Sequence, residues 1–209
     1  MRIRRRFILS GIIIFIFLII LIIFFIITPG SKSVKLNSID LKNISMNIED
    51  GDIICRLGDR IWSLYFRDVS VTDRRFSHMG ILRVNNDLIS VIHTEGDTGH
   101  GIDYVNETSL EEFIQFARTI GIYRIKDING SRISDLAAEY LKIPFDWQFD
   151  MNDDSKLYCT ELLYVILNRL APQIELNTIY AGLLKKNVIP LDAISDSEYF
   201  KEILFLRIE

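Results

Sequence analysis

From Phe7 to Thr28 the chain is almost wholly Ile, Leu and Phe, interrupted only by Ser10 and Gly11. A run of this length meets the roughly 20 apolar residues that a helix needs to cross a bilayer. It divides the chain into three expected parts: residues 1–30 as a basic stub and one transmembrane helix, 31–50 as a linker, and 51–209 as a folded domain. A cleaved signal peptide has an apolar core of only about 7–15 residues followed by a small-x-small site, whereas this run ends in Ile27-Thr28-Pro29-Gly30. The run therefore reads as a retained signal anchor. Arg2, Arg4, Arg5 and Arg6 precede it, and the positive-inside tendency holds such a cluster in the cytoplasm. Everything after Lys32 is then expected to face outward, in the periplasm or at the cell surface.

Setting the anchor aside changes the charge. Residues 33–209 hold 19 Lys+Arg against 28 Asp+Glu, a net charge of −9. Such a surface repels phosphate backbones, and no basic stripe interleaved with aromatics occurs, so nucleic acid is not an expected partner. Cys55 and Cys159 are the only cysteines, and in an oxidising compartment two cysteines can pair. Against pairing, Cys55 lies in Asp52-Ile53-Ile54-Cys55-Arg56 and reads as a small buried strand residue.

Ser31 to about Asp50 mixes Ser, Asn, Lys and Asp with isolated apolar residues, which suits a tether partly docked on the domain. Hydrophobic periodicity then predicts strand 52–56, helix 60–68, strand 78–84, a turn at Asn85-Asn86-Asp87 and strand 88–94, the last two strands forming a hairpin. Ser109-Leu110-Glu111-Glu112 is a capping-box signature for a helix to about Thr119, and a strand follows near 122–126. A helix over about 132–142 stops before Pro144. Another begins at Cys159 and runs to about Leu170, with a further helix over 178–186 and a last apolar segment from Ile203 to Ile208. Clustered strands with helices at both ends predict an α+β domain with a small antiparallel sheet. Trp62, Tyr65 and Phe66 at helical spacing read as core. Asp153 and Asp154 read as a turn, with Ser155 as a helix cap.

The chemistry concentrates in Leu157-Tyr158-Cys159-Thr160-Glu161. Unsatisfied N–H groups and partial positive charge at a helix N-terminus favour thiolate, and such cysteines titrate at about 3.5–7.5 instead of about 8.5. Cysteine catalysis also needs a base, usually histidine. The chain offers His78, His93 and His100. His100, between Gly99 and Gly101, reads as a loop residue. On strand 78–84, His78 and Gly80 share a face, and Gly80 leaves room there for a helix to approach. On the next strand Val91, His93 and Glu95 share a face, so a second polar group can orient the His78 imidazole through its far nitrogen. Tyr158 either lines a substrate pocket or packs beside the cysteine.

Four segments together carry a resemblance: Gly51-Asp52-Ile53-Ile54, Arg75-Phe76-Ser77-His78-Met79-Gly80-Ile81, Val91-Ile92-His93, and Pro144-Phe145-Asp146 with Asp153 through Leu162. They resemble the YiiX/YaeF group of permuted papain-fold amidases, relatives of the NlpC-type cell-wall peptidases. The similarity covers about Gly51 to Leu170, with histidine before cysteine as in the permuted order. It implies a permuted papain-like fold and a cysteine hydrolase or acyltransferase acting on amide or ester bonds without a cofactor. Cys159 matches the family's nucleophile and His78 its base. The third position falls on His93, where many relatives carry glutamate, and Glu95 on the same face is the other candidate. Family substrates range from cell-wall peptides to lipid-linked acyl groups.

Two other readings compete. His78, His93 and Cys159 are all recognised zinc ligands, although no Cys-x-x-Cys or His-Glu-x-x-His unit is present. A papain-like fold on a membrane stalk could also bind wall or lipid ligands without turnover. The sequence specifies no oligomeric state.

Overall fold

The computed structural model describes residues 14–19, 38–59, 61–86, 88–96, 103–196 and 198–208. The chain divides into two compact units, Met1–Lys32 and Ser33–Glu209. In the first, residues 14–19 are helical and exposed. The rest of the expected transmembrane span, residues 7–13 and 20–28, lies outside the described residues. Among the described residues no helix is long and apolar enough to cross a membrane.

The second unit runs α1 (Ser38–Asn47), β1 (Ile53–Leu57), α2 (Ile61–Val69), β2 (His78–Asn85), β3 (Leu88–Thr94), β4 (Val105–Ser109), α3 (Leu110–Ile114), β5 (Thr119–Ile125), α4 (Gly130–Glu139), α5 (Cys159–Leu170), β6 (Ile179–Ala181), β7 (Lys186–Val188) and β8 (Phe200–Arg207). Six strands form one sheet in the order β4-β3-β2-β1-β5-β8, antiparallel at every pairing. This is the expected α+β class.

Central strand β1 is apolar on both faces, and each face builds its own core. Ile53 and Cys55 join Met79, Ile81 and Ile92 against Leu162, Leu163 and Ile166 of α5 and Ile133 of α4. Ile54 joins Leu82, Val91, Ile120 and Ile122 against Ile44 of α1 and Leu110, Phe113 and Ile114 of α3. A third, smaller cluster gathers Phe149, Tyr158, Ala181 and Val188.

The entry to β1 fixes β2, and so the start of the histidine strand. Gly51 adopts φ +78, and a Cβ there would lie 2.1 Å from the Gly130 carbonyl oxygen, so only glycine lets α4 approach this closely. Asp50 accepts from Val84 N–H at 2.9 Å and from Ser134 Oγ at 2.7 Å. Asp52, buried, accepts from Nε and Nη2 of Arg124, each at 2.8 Å. This bidentate pair joins β1 to β5 and leaves neither carboxylate oxygen unpaired.

Several expected elements differ. The linker contains a helix over residues 38–47 whose Ile44 is fully buried. The cap at Ser109 forms, its Oγ accepting from Glu112 N–H at 3.1 Å, but the helix ends at Ile114. The chain is needed from Thr119 onward as β5, where Thr119 and Ile120 pair with Leu57 and Arg56. Strand β4 escaped the periodicity because Val-Asn-Glu-Thr-Ser is a polar edge strand. The expected helix over 178–186 is a hairpin of β6 and β7. Ile179 and Tyr180 favour strand, Gly182 disfavours helix, and Lys185 N–H closes the turn on Ala181 O at 2.8 Å. Trp62 is 62% exposed instead of core. Ser155 caps nothing: it hydrogen bonds to Asp153 within the turn, and Tyr158 occupies the N-cap position of α5.

Candidate active site

Cys159 is the first residue of α5, and the chain around it is pinned on three sides. Tyr158 N–H donates to Glu161 Oε2 at 3.2 Å, closing the helix start. Thr160 Oγ1 donates to Ile189 O at 2.8 Å, and Ile189 N–H donates to Tyr158 Oη at 3.1 Å. Thr94, at the end of β3, donates from Oγ1 to Leu157 O at 3.2 Å. The strand that carries His93 is thereby tied to the residue two before the cysteine. Tyr158 is packed and buried, the second of its two expected roles.

Cys159 and Cys55 are both free thiols, so the disulfide does not form. Burial pushes the Cys159 thiol up to about 11, outweighing the Met79 and Thr160 backbone N–H groups that pull it down. The expected thiolate is thus a thiol in this state: desolvation of the charge exceeds what a helix start returns. The Met79 N–H acts on the sulfur, so the sulfur lies against the peptide that follows His78. Among the described residues no hydrogen bond joins the Cys159 sulfur to His78.

His78 opens β2 and His93 lies near the end of β3. Nε2 of His78 and Nδ1 of His93 are 3.1 Å apart, and Nε2 of His93 is 3.2 Å from Thr108 Oγ1 on β4. Both imidazoles are held well below the usual histidine range, first by burial, with the positive Arg56 adding to it. Both rings rest on Phe113, that of His78 stacked at 5.5 Å and that of His93 edge-on at 5.0 Å. Gly80 does not make room for a helix. A Cβ there would meet Val91 Cγ1 at 2.4 Å and His93 Cβ at 3.0 Å, so the missing side chain admits the neighbouring strand.

Glu95 follows a different partner. Its Oε2 accepts from Nη2 of Arg56 at 2.6 Å, and Nη1 of Arg56 donates to Phe113 O at 2.5 Å. The guanidinium lies 4.7 Å over the Phe113 ring. A cavity of about 210 Å³ is lined by Arg56, His78, His93, Glu95, Asn106 and Phe113 among others, and Cys159 is not part of its lining. Single donor atoms of His78, His93 and Glu95 lie within 4.8 Å of one another. Glu95, not Cys159, completes that group. His100 lies outside the described residues.

Arg56 and Thr108 were missed from sequence. Arg56 was legible as a charge inside an apolar central strand, a position that requires a partner. Thr108 had no signal, because β4 itself was not recognised.

A helix that starts at a cysteine, packed on an antiparallel sheet whose earlier strands carry paired histidines, is papain-like architecture with its segments in permuted order. Residues 47–198 match the family described as permuted papain-like amidase enzyme, YaeF/YiiX, C92 family. The chain belongs to that family, which gives it a hydrolase kind. Among solved structures it is similar to the crystal structure of metalloprotein yiiX from Escherichia coli O157:H7. That likeness has 17% identity and a TM-score of 0.61, covering 76% of this chain and 97% of that one. At this identity it is a likeness of fold. A comparison with curated proteins finds no match.

Proposed function

We propose that this protein is a membrane-anchored cysteine hydrolase that cleaves amide or ester bonds through an acyl-enzyme on Cys159, with its domain outside the cytoplasm. The observation that carries the reading is a thiol at the first residue of α5, acted on by the N–H of Met79, the residue that follows His78, whose Nε2 meets Nδ1 of His93 at 3.1 Å. Neutral His78 accepts the thiol proton on Nδ1 as the sulfur attacks the carbonyl carbon. Catalytic hydrogen bonds commonly tighten only with substrate in place. The oxyanion takes hydrogen bonds from N–H groups at the helix start, each donor being worth about 2.7–4 kcal/mol in such a site. The imidazolium gives its proton to the leaving amine or alcohol. Water, deprotonated by His78, then releases the acyl group and restores the thiol. Cell-wall peptides and lipid-linked acyl groups are the two substrate classes this chemistry serves.

A metal reading has its own observation in the His78, His93 and Glu95 group, and the structural relative is a metalloprotein. The donors do not fit a divalent cation in this arrangement. Glu95 is held by Arg56 at 2.6 Å, so a divalent cation at these three donors would stand beside a buried guanidinium that already takes their one carboxylate.

Labelling with a thiol-directed acyl probe tests the proposal. Cys159→Ala abolishes labelling and Cys55→Ala does not. Equal labelling of the two variants contradicts the assignment.

A further inference from the structure

The chain has two tryptophans, Trp62 and Trp147, and both stand exposed, at 62% and 53%. They belong to one connected set of rings. Trp62 meets Tyr65 at 6.2 Å, Tyr65 meets Phe66 at 5.4 Å, and Phe66 meets Phe149 at 5.6 Å. Phe149 in turn meets Phe145 at 6.0 Å, and Phe145 meets Trp147 at 4.9 Å. The β6–β7 hairpin joins the same cluster through Ala181 and Val188, and it exposes Tyr180 and Leu183. Three segments distant in sequence thus place large apolar side chains outward from a shared base. Isolated exposed apolar residues need no explanation, but a contiguous group marks an interaction surface.

We propose that this aromatic face docks on the headgroup region of a zwitterionic lipid bilayer. Tryptophan and tyrosine concentrate at that depth because their rings are apolar and their polar ends remain wet. The sequence brings the bilayer within reach. The apolar run ends at Thr28 and the described domain begins at Ser38, leaving nine residues between them. Even fully extended, nine residues span at most about 32 Å, less than the breadth of a domain this size. The net charge of −9 over residues 33–209 opposes anionic lipid, so contact is through apolar burial. The face also borders the site. Phe149 touches Tyr158 at 5.2 Å, next to Cys159, and Trp147 packs over Gly96, next to Glu95.

This inference rests on the anchored topology proposed above and not on the cysteine chemistry. The full-length chain is reconstituted into phosphatidylcholine vesicles with or without acyl-chain-brominated lipid, which quenches tryptophan by contact. Trp62→Phe and Trp147→Phe each leave a single reporter. Each variant is expected to lose at least half its emission in brominated vesicles, and 0.5 M salt does not reverse this. Emission unchanged in either variant overturns the docking face. Failure to co-float with vesicles overturns the anchor and the docking together, whereas co-flotation with unquenched tryptophans overturns docking alone. Acyl-probe labelling of Cys159 in the same samples reports the hydrolase separately.

Discussion

Nε2 of His78 lies 3.1 Å from Nδ1 of His93, and the other nitrogen of His93 lies 3.2 Å from Thr108 Oγ1. Two neutral imidazoles in this arrangement have two consistent proton orders. If His78 is the base toward the thiol, its Nδ1 must be bare and its Nε2 must donate to His93. His93 then carries its proton on Nε2 and donates it to Thr108. In that order the Thr108 hydroxyl accepts, and in the reverse order it donates, so it satisfies His93 in both and holds the imidazole in place.

Replacing Thr108 with valine leaves the His93 N–H unpaired. An orienting bond of this kind is worth about 1 kcal/mol, so Thr108→Val is expected to lower kcat about fivefold with KM unchanged. Thr108→Ser restores the rate. Steady-state kinetics of the three proteins checks this, and an unchanged kcat in the valine variant removes the relay.

The thiol, pushed up to about 11 by burial, is protonated at neutral pH. Below that value the thiolate fraction rises about tenfold per pH unit. Alkylation of Cys159 by iodoacetamide should accordingly accelerate without a plateau from pH 6 to pH 9. A plateau above pH 7 would mean a preformed ion pair with histidine.

Both histidines are held below their usual range by burial and by Arg56. The unfolded chain then binds protons more readily than the folded one. Their contribution to stability is complete above about pH 6.5 and is lost as the pH falls below it. Glu161 acts in the opposite sense: burial raises it to about 8 from 4.5, so its contribution is complete below about 4.5 and is lost as the pH rises towards 8. Melting temperature should fall on both sides of an intermediate pH. His93→Gln should flatten the acid side and Glu161→Gln the alkaline side, as differential scanning calorimetry across pH 4–9 will report.

Much of this arrangement was legible because it repeats short-range physics. The strand alternation that placed His78 with Gly80, and His93 with Glu95, is the alternation observed. The start of α5 at Cys159 followed from the apolar period. What was not legible depends on contacts between distant segments. The thiolate expectation considered the helix end and not the burial that opposes it. Glu95 was paired by face with His78, yet Arg56, 39 positions earlier, takes its carboxylate. The stretch from Ile179 to Lys186 has apolar spacing compatible with a helix, and only the turn closed between Lys185 and Ala181 decides for strand.

Gly80 tests how tightly the strands hold the histidine pair. A methyl group there meets Val91 and His93 within 3.0 Å. Gly80→Ala should cost about 1–3 kcal/mol of stability and lower activity more than Gly182→Ala, whose Cβ meets nothing within 4 Å. Denaturant unfolding and turnover of both variants provide the comparison, and equal effects would show that the strand spacing is not critical.

The central claim is that Cys159 and His78 act as one catalytic unit. Intact-mass spectrometry of the full-length protein during turnover of an activated ester tests it most directly. The wild type should carry one acyl group, mapped to the peptide containing Cys159. Cys159→Ala should carry none, and His78→Ala should acylate at least a hundredfold more slowly while keeping its fold. Turnover at the wild-type rate by either variant would contradict the account.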